Sequence, residues 1–540
     1  MIKSIQYLSV ILLGITPMMS SAQAEKTPPK NWYNLDFQKD AVMGISTEQA
    51  YQLLEGQKAS NVIVAVLDGG VDVNHEDLKD VLWKNPKEIP GNGKDDDNNG
   101  YIDDVNGWNF IGNANGENVG ADNLEVTRLI RIYEPKYLSV LPTTPLSEKE
   151  RREFVAYQKM ITDYTSKMEE ASFGKLNYGR LTEELDKIIT ATGKEIKEIT
   201  IEDLDQFDPT GDRQKMAVRL AKKESEKSGF EKFYEDIKEA NKYFSDQVNF
   251  HLNKDFDPRK IVGDDYQDAN QSDYGNNDVQ GPDAEHGTHV AGIIAANRTN
   301  DLGINGVATH VQIMAVRLVP NGDERDKDVA NGIRYAVDNG AKVINMSFGK
   351  GYVYNKSAVD QAIKYAESKD VLLVHAAGND ASDNDIIKNY PTKYFTDSLD
   401  ATIGEAKNWI TVGATGWELN ADLLAEFSNY GYRSVDVFAP GVKINSTIPG
   451  SKYKEQQGTS MAAPVVSGLA ALIRSYYPSL TAQEVKEVIM KSVTKVDQKV
   501  KVKSEGGSKR VYLDEISVSG GIVNAYKAIE EATKVASAKK

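Results

Sequence analysis

Val62-Ile63-Val64-Ala65-Val66-Leu67-Asp68-Gly69-Gly70 begins with six apolar residues in succession and stops at a carboxylate. A run without polar alternation reads as a strand buried on both faces, and the paired glycines let the backbone turn sharply after it. A strand covered on both sides belongs to a parallel sheet with helices over each face. Comparable runs follow at Val311 to Val319, Lys342 to Ser347, Val371 to Ala376, Trp409 to Ala414 and Val435 to Phe438. Between them lie helical patterns. Asp328 to Asn339 has apolar positions at helical spacing before Gly340, and Thr481-Ala482-Gln483-Glu484 is a capping box. The expected fold is a three-layer α/β domain with a mostly parallel sheet.

From about Gly120 to Asp255 the character changes to charged, long-period helix. A capping-box pattern at Ser147 to Glu150 precedes Phe154, Tyr157, Ile161, Tyr164 and Met168 at alternating three- and four-residue steps, and Phe230, Tyr234, Ile237, Phe244 and Val248 mark a second amphipathic helix. The expected organisation is a discontinuous domain, residues 25–119 and 256–540, carrying an inserted helical subdomain at 120–255. A disordered charged linker is the alternative.

Lys3, the apolar stretch Ile5 to Ile15 and Ala22-Gln23-Ala24 read as a leader over residues 1–24 with cleavage before Glu25. The stretch is shorter than the ~20 residues a spanning helix needs, so no integral membrane segment is expected after its removal, and the product is exported to a periplasm or the medium. The chain has no cysteine, which excludes disulfides and a thiol nucleophile. A net charge of −16 opposes nucleic acid or anionic lipid as partner.

Four segments place reactive side chains where an α/β sheet exposes them, at strand C-termini and helix N-termini. Asp68 is placed to orient an imidazole. His286 opens His286-Gly287-Thr288-His289-Val290-Ala291-Gly292, a tightly packing helix; zinc ligation would need other spacing and a glutamate. Asn379 ends Ala376-Ala377-Gly378-Asn379, with Gly378 leaving room for a substrate side chain. Ser460 lies in Gly458-Thr459-Ser460-Met461-Ala462-Ala463-Pro464, and Pro464 is acceptable only near a helix start. Each taken singly has an ordinary reading as a turn or cap.

Together these segments resemble the subtilisin-like serine peptidases (subtilases, peptidase family S8), whose catalytic residues run Asp, His, Ser along the chain. The resemblance covers Trp32 to Ile111 and Ile261 to Ile529. It implies a subtilisin-like fold, a serine endopeptidase with polypeptide substrates, catalytic Asp68, His286 and Ser460, and an oxyanion donor in Asn379. It also implies substrate binding by Ser347, Phe348 and Gly349, alongside which an extended peptide pairs, and by Gly378. Departures are Gly69, where the family has Thr or Ser; a long Asp68-to-His286 separation, which the helical insertion explains; and too little sequence after the leader for a propeptide. The insertion is a candidate docking module for a protein partner.

Asp95-Asp96-Asp97-Asn98-Asn99-Gly100-Tyr101-Ile102-Asp103 matches the first part of an EF-hand-type loop, giving Asp95, Asp97, Asn99, Tyr101 and Asp103 as candidate ligands of a structural calcium. Asn106 stands where the bidentate glutamate belongs, so another carboxylate such as Asp104 must complete the shell, and a solvated acidic turn is the alternative. Asp77 matches a family calcium ligand by position alone. No organic cofactor is expected.

Overall fold

The structure, a computed structural model, describes residues 27–141, 143–397, 401–504 and 507–539. The expected leader and its cleavage site lie outside them. The chain divides into two compact units, one at Asp122–Asp257 and one comprising Ala24–Ala121 and Pro258–Lys540.

The larger unit is built on nine strands. In chain order they are β1 (Val62–Asp68), β2 (Gly107–Asn109), β3 (Val311–Arg317), β4 (Val343–Met346), β5 (Leu372–Ala376), β6 (Trp409–Thr415), β7 (Val437–Pro440), β8 (Thr494–Lys495) and β9 (Gly521–Ile522). Their order across the sheet is β8-β9-β7-β6-β5-β4-β1-β3-β2. All neighbouring pairs are parallel except β8 with β9.

β1 shows how the apolar run is used. Val62, Val64 and Val66 enter one core, with Val290, Ile293, Val465 and Leu469. Ala65 and Leu67 enter the other, with Val329, Ile333, Val359 and Ile363. Strand side chains alternate between faces, so a strand with a core on each side needs apolar residues throughout. The covering helices are α1 (Glu285–Ala295) and α4 (Thr459–Tyr476) on the first face, and α2 (Asp326–Asp338) and α3 (Lys356–Ser368) on the second. Parallel strands bring β1, β4 and β5 to one edge of the sheet with their carboxyl ends together, and crevices at that edge are where α/β sheets bind ligands.

The smaller unit is helical. Its principal helices are Glu125–Tyr137, Glu148–Thr192, Asp212–Ser228 and Phe230–Asp246. The longest begins at a capping box between Ser147 and Glu150 and ends at Gly193. Leu185, Ile188, Leu204, Val218, Phe233 and Ile237 form its main core. No helix among the described residues is long and apolar enough to cross a membrane.

Candidate active site

Asp68, the last residue of β1, is buried. Its Oδ1 accepts the Gly69 N–H at 2.7 Å and lies 2.8 Å from His286 Nδ1, across 218 residues of sequence. Facing a carboxylate, Nδ1 carries the proton and Nε2 is left as the base. Gly287 permits the approach of α1: a Cβ there would stand 2.2 Å from the Gly70 carbonyl oxygen and 3.0 Å from Asp68 Cβ. Burial alone would lower the His286 pKa, but the charge and hydrogen bond of Asp68 outweigh it and hold the pKa above the ordinary 6.5. Asp68 Oδ2 is buried without a hydrogen-bond partner among the described residues. His289, one turn further along α1, lies in the core with Nε2 between the carbonyls of Ile444 and Lys454, each at 3.0 Å. Burial pulls its pKa down to about 3, so it remains neutral.

Arg317, which the sequence does not single out, braces the Asp68 turn. Its buried guanidinium donates from Nε to the Gly69 carbonyl at 2.9 Å, and from its two terminal nitrogens to Asn109 Oδ1 at 3.0 Å and the Val119 carbonyl at 2.6 Å.

Ser460 is the second residue of α4. Its hydroxyl donates to the Ser347 carbonyl at 3.0 Å, and no hydrogen bond joins it to His286 in this conformation. The Ser460 carbonyl accepts from Ser347 Oγ at 2.9 Å, and Ser347 Oγ accepts from Asn345 Nδ2 at 2.9 Å. The segment Ser347-Phe348-Gly349 after β4 is therefore tied to the start of α4.

Asn379 is fixed through its amide oxygen. Oδ1 accepts the Thr459 N–H at 2.9 Å and the Thr459 hydroxyl at 3.0 Å, while Thr459 Oγ1 accepts the Gly378 N–H at 3.1 Å. This directs Nδ2 away from Thr459. The point where a Gly458 Cβ would stand is 3.4 Å from Asn379 Nδ2 and 3.6 Å from Ser460 N. Two donors thus border one space at the N-terminus of a helix, where the backbone N–H groups lack intrahelical partners and the dipole favours an anion.

Gly349 and Gly378 share a neighbour that sequence reading does not reach. A Cβ on Gly349 would stand 2.6 Å from both amide atoms of Asn389, and one on Gly378 would stand 3.3 Å from Asn389 Nδ2. Asn389 Nδ2 donates to the Ala376 carbonyl at 3.2 Å, which directs Oδ1 elsewhere. Gly378 has φ +106°, and a Cβ there would also meet Asn429 Nδ2 at 2.5 Å. Only glycine fits this position without strain.

In the acidic loop, carboxylate oxygens of Asp95 and Asp97 come within 4.8 Å of each other and of a third residue, Glu88, which the loop pattern did not include. The Asp103 oxygens accept the N–H groups of Gly91, Asn92 and Gly93, and the Asp95 oxygens those of Asn99 and Gly100. Asn99 Oδ1 caps the Tyr101 N–H at 2.8 Å, and the Tyr101 ring packs edge-on against Trp108, Phe110 and Tyr335. Asp104 is occupied by Asn85, Asn99 and the Tyr335 hydroxyl. Asp77 Oδ1 accepts from Asn300 Nδ2 at 2.8 Å and Oδ2 from the Tyr453 hydroxyl at 3.2 Å.

A sequence profile described as the Subtilase family matches residues 59–508. A thermophilic serine proteinase of Bacillus sp. (strain AK1) is 42% identical over 226 residues, covering 42% of this chain and 49% of that protein. A thermostable alkaline protease of Halalkalibacterium halodurans is 37% identical over 210 residues, 39% of this chain and 52% of the relative. Thermitase of Thermoactinomyces vulgaris is 39% identical over 251 residues, 45% of this chain and 75% of the relative. The chain thus spans about half the length of the first two relatives. A solved structure of proteases from Pseudoalteromonas arctica PAMC 21717 aligns at TM-score 0.48 and 19% identity, over 94% of this chain and 100% of that one.

Proposed function

Because the chain belongs to the subtilase family, we propose that it is a serine endopeptidase in which Ser460 is the nucleophile, His286 the proton shuttle and Asp68 the group that orients and stabilises the imidazolium. The observation that carries this reading is the 2.8 Å contact between Asp68 and His286, formed at the sheet edge where Ser347 is tied to the start of the Ser460 helix.

The Ser460 hydroxyl rests on the Ser347 carbonyl. That carbonyl is also the acceptor that an extended substrate, pairing along Ser347 to Gly349, would claim with its own backbone N–H. Substrate binding then frees the hydroxyl, and rotation about the Ser460 Cα–Cβ bond returns it to His286 Nε2. His286 takes the proton as Ser460 Oγ attacks the scissile carbonyl, then gives it to the leaving amine; water cleaves the acyl-enzyme by the same relay. Asn379 Nδ2 and the Ser460 N–H receive the negative charge on the carbonyl oxygen. The side chain before the scissile bond enters the slot between Gly349 and Gly378, and Asn389 forms its floor.

A fluorophosphonate probe tests the reading. Labelling of the full-length protein that is lost in Ser460→Ala is expected. A folded protein that stays unlabelled would leave a binding protein that retains the fold without the chemistry. Export rests on the leader pattern, and N-terminal sequencing of secreted protein beginning at Glu25 is the expected result. A protein partner for the helical unit is tested by deleting residues 120–255. Partner cleavage should then fall while casein hydrolysis persists.

A further inference from the structure

Lys350 follows the Ser347-Phe348-Gly349 segment and sits between two exposed glycines, Gly349 and Gly351, yet its own side chain is only 1% exposed. A lysine in such a setting ordinarily reaches into water. Its backbone pairs with Tyr390 in both directions: the Lys350 N–H donates to the Tyr390 carbonyl at 3.0 Å, and the Tyr390 N–H to the Lys350 carbonyl at 2.8 Å. Tyr390 is the chain neighbour of Asn389. The two bonds therefore fasten the Gly349 wall of the slot to its floor.

The ammonium group reaches the connection between β3 and α2. Nζ lies 2.8 Å from Asp326 Oδ1 and donates to the Glu324 carbonyl at 2.7 Å. Asp326 opens α2, and its Oδ2 accepts the N–H groups of Tyr354 and Asn355 at 2.8 and 2.6 Å. Burial pushes the Glu324 carboxyl up to about 8, so near neutral pH it holds its proton, and Asp326 supplies negative charge opposite Lys350. A buried ion pair seldom repays the desolvation of its two charges, and apolar side chains of like volume often serve stability as well or better. Stability alone is thus a poor account of a lysine turned inward at this point of the chain.

We infer that Lys350 is a positioning residue for the substrate: by gripping Asp326 and the Glu324 carbonyl it holds the far end of the Ser347–Gly349 segment in place for an extended peptide. The inference rests on the proposed pairing of substrate along that segment. The near end is already held, because Ser347 Oγ donates to the Ser460 carbonyl. At the far end Gly349 brings no side chain, and Gly351 follows two residues later, so the backbone there has wide freedom unless Lys350 restrains it. A substrate that pairs along the segment needs donors and acceptors at fixed spacing, and each residue it adds beyond the slot depends on that spacing again. A substrate that fills the slot alone depends on it less.

The test compares two substrates on the full-length protein: a single-residue nitrophenyl ester, which enters the slot alone, and a tetrapeptide anilide with the same residue before the scissile bond. Lys350→Met and Asp326→Asn should each lower kcat/KM on the tetrapeptide about tenfold more than on the ester, within the range that a misplaced positioning group produces. Asp326→Asn keeps an oxygen for the Tyr354 and Asn355 N–H groups while giving up the charge that Lys350 meets, so it probes the link even where Lys350→Met fails to fold. Loss of folded protein lowers both rates together, and the unequal fall is therefore the readout. In the unsubstituted chain the Lys350 and Tyr390 amides should be protected from hydrogen exchange before any peptide is added, which needs no variant at all. Equal falls on the two substrates in a folded variant, or exchange of those amides at the rate of an open loop, would overturn the inference. Failure of the wild-type protein to take up a fluorophosphonate at Ser460 would instead overturn the proposed mechanism on which it rests.

Discussion

Thr459→Val removes one hydroxyl from a buried residue and keeps its shape. In the wild type that hydroxyl donates to Asn379 Oδ1 at 3.0 Å and accepts the Gly378 N–H at 3.1 Å. Losing the first bond costs about 1 kcal/mol of stability, and leaving the half-buried Gly378 N–H unpaired costs about 1 kcal/mol more. The expected loss is therefore about 2 kcal/mol by urea denaturation. The catalytic effect is separate. In subtilisin, a member of the same family, removing the oxyanion asparagine costs about 3 kcal/mol, a value taken over from that relative. Asn379→Ala should then lower kcat by a factor of 10² to 10³ with little change in KM. Thr459→Val leaves the second tether, the Thr459 N–H at 2.9 Å, so the amide loosens without leaving. A fall in kcat of about tenfold, near 1.4 kcal/mol, is expected on a chromogenic peptide substrate, and Thr459→Ser should restore it. If Thr459 acts through Asn379, the double variant should be no slower than Asn379→Ala alone. Independent, multiplying losses in the double variant would refute the reasoning, as would an Asn379→Ala protein within twofold of wild type.

On the proposed mechanism only the neutral imidazole accepts the Ser460 proton, so the raised His286 pKa should set the acid limb of kcat/KM above pH 6.5. Asp68→Asn should move that limb to lower pH while reducing the rate by about 10⁴, and a limb that stays in place would sink the assignment. By linkage, the stability contributed by this pair is complete below about pH 6.5 and is lost as pH rises through the raised value; denaturation midpoints across that window should show the decline. Arg317→Met leaves the Gly69 and Val119 carbonyls without their donor, and Asn109 Oδ1 with the Ile111 N–H alone, and should destabilise the larger unit by about 3 kcal/mol or more; an unchanged urea midpoint would contradict the bracing role. Asn389→Gly deepens the slot between Gly349 and Gly378 and removes its polar floor, so a peptide-library cleavage profile should shift toward longer apolar side chains before the scissile bond. An unaltered profile would place the pocket elsewhere.

The layered fold was legible because burial on both faces calls for mostly apolar strands: β1 is apolar up to Asp68, and β3, β4, β5 and β6 carry apolar stretches with few polar residues. β2, at the sheet edge, was not legible: Gly107-Trp108-Asn109 is three residues long and has no periodicity to read. Asp68, His286, Asn379 and Ser460 stood out because glycine and small-residue motifs surround them. Arg317, Asn389 and Glu88 had no such setting. Arg317 looks like the polar end of an ordinary strand, and its role exists only because β3 lies between β1 and β2. Asn389 gains meaning from two glycines on different connections, and Glu88 from a fold that carries it back against residues seven and nine positions later.

The separation of 218 residues between Asp68 and His286 illustrates why linear spacing says little about such a site. The larger unit closes over the gap at its own base. Asn113 Nδ2, before the helical unit, donates to the Ile261 carbonyl, after it, at 2.9 Å. The Asn321 N–H holds the Gly120 carbonyl at 2.8 Å, and Arg259 is paired with both Asp264 and Asp328. With both flanks anchored, lengthening the intervening chain has a small entropic cost, about 0.6 kcal/mol per doubling for a flexible loop and less for a segment that folds on its own core. The Asp68–His286 contact is set instead where β1 meets α1, by Gly287 admitting the Gly70 carbonyl. Substituting Gly287 with alanine should therefore disrupt the Asp68–His286 pair more than shortening the helical unit by whole turns. If kcat/KM followed the length of that unit and tolerated Gly287→Ala, the geometry of the pair would have to be governed from outside the sheet.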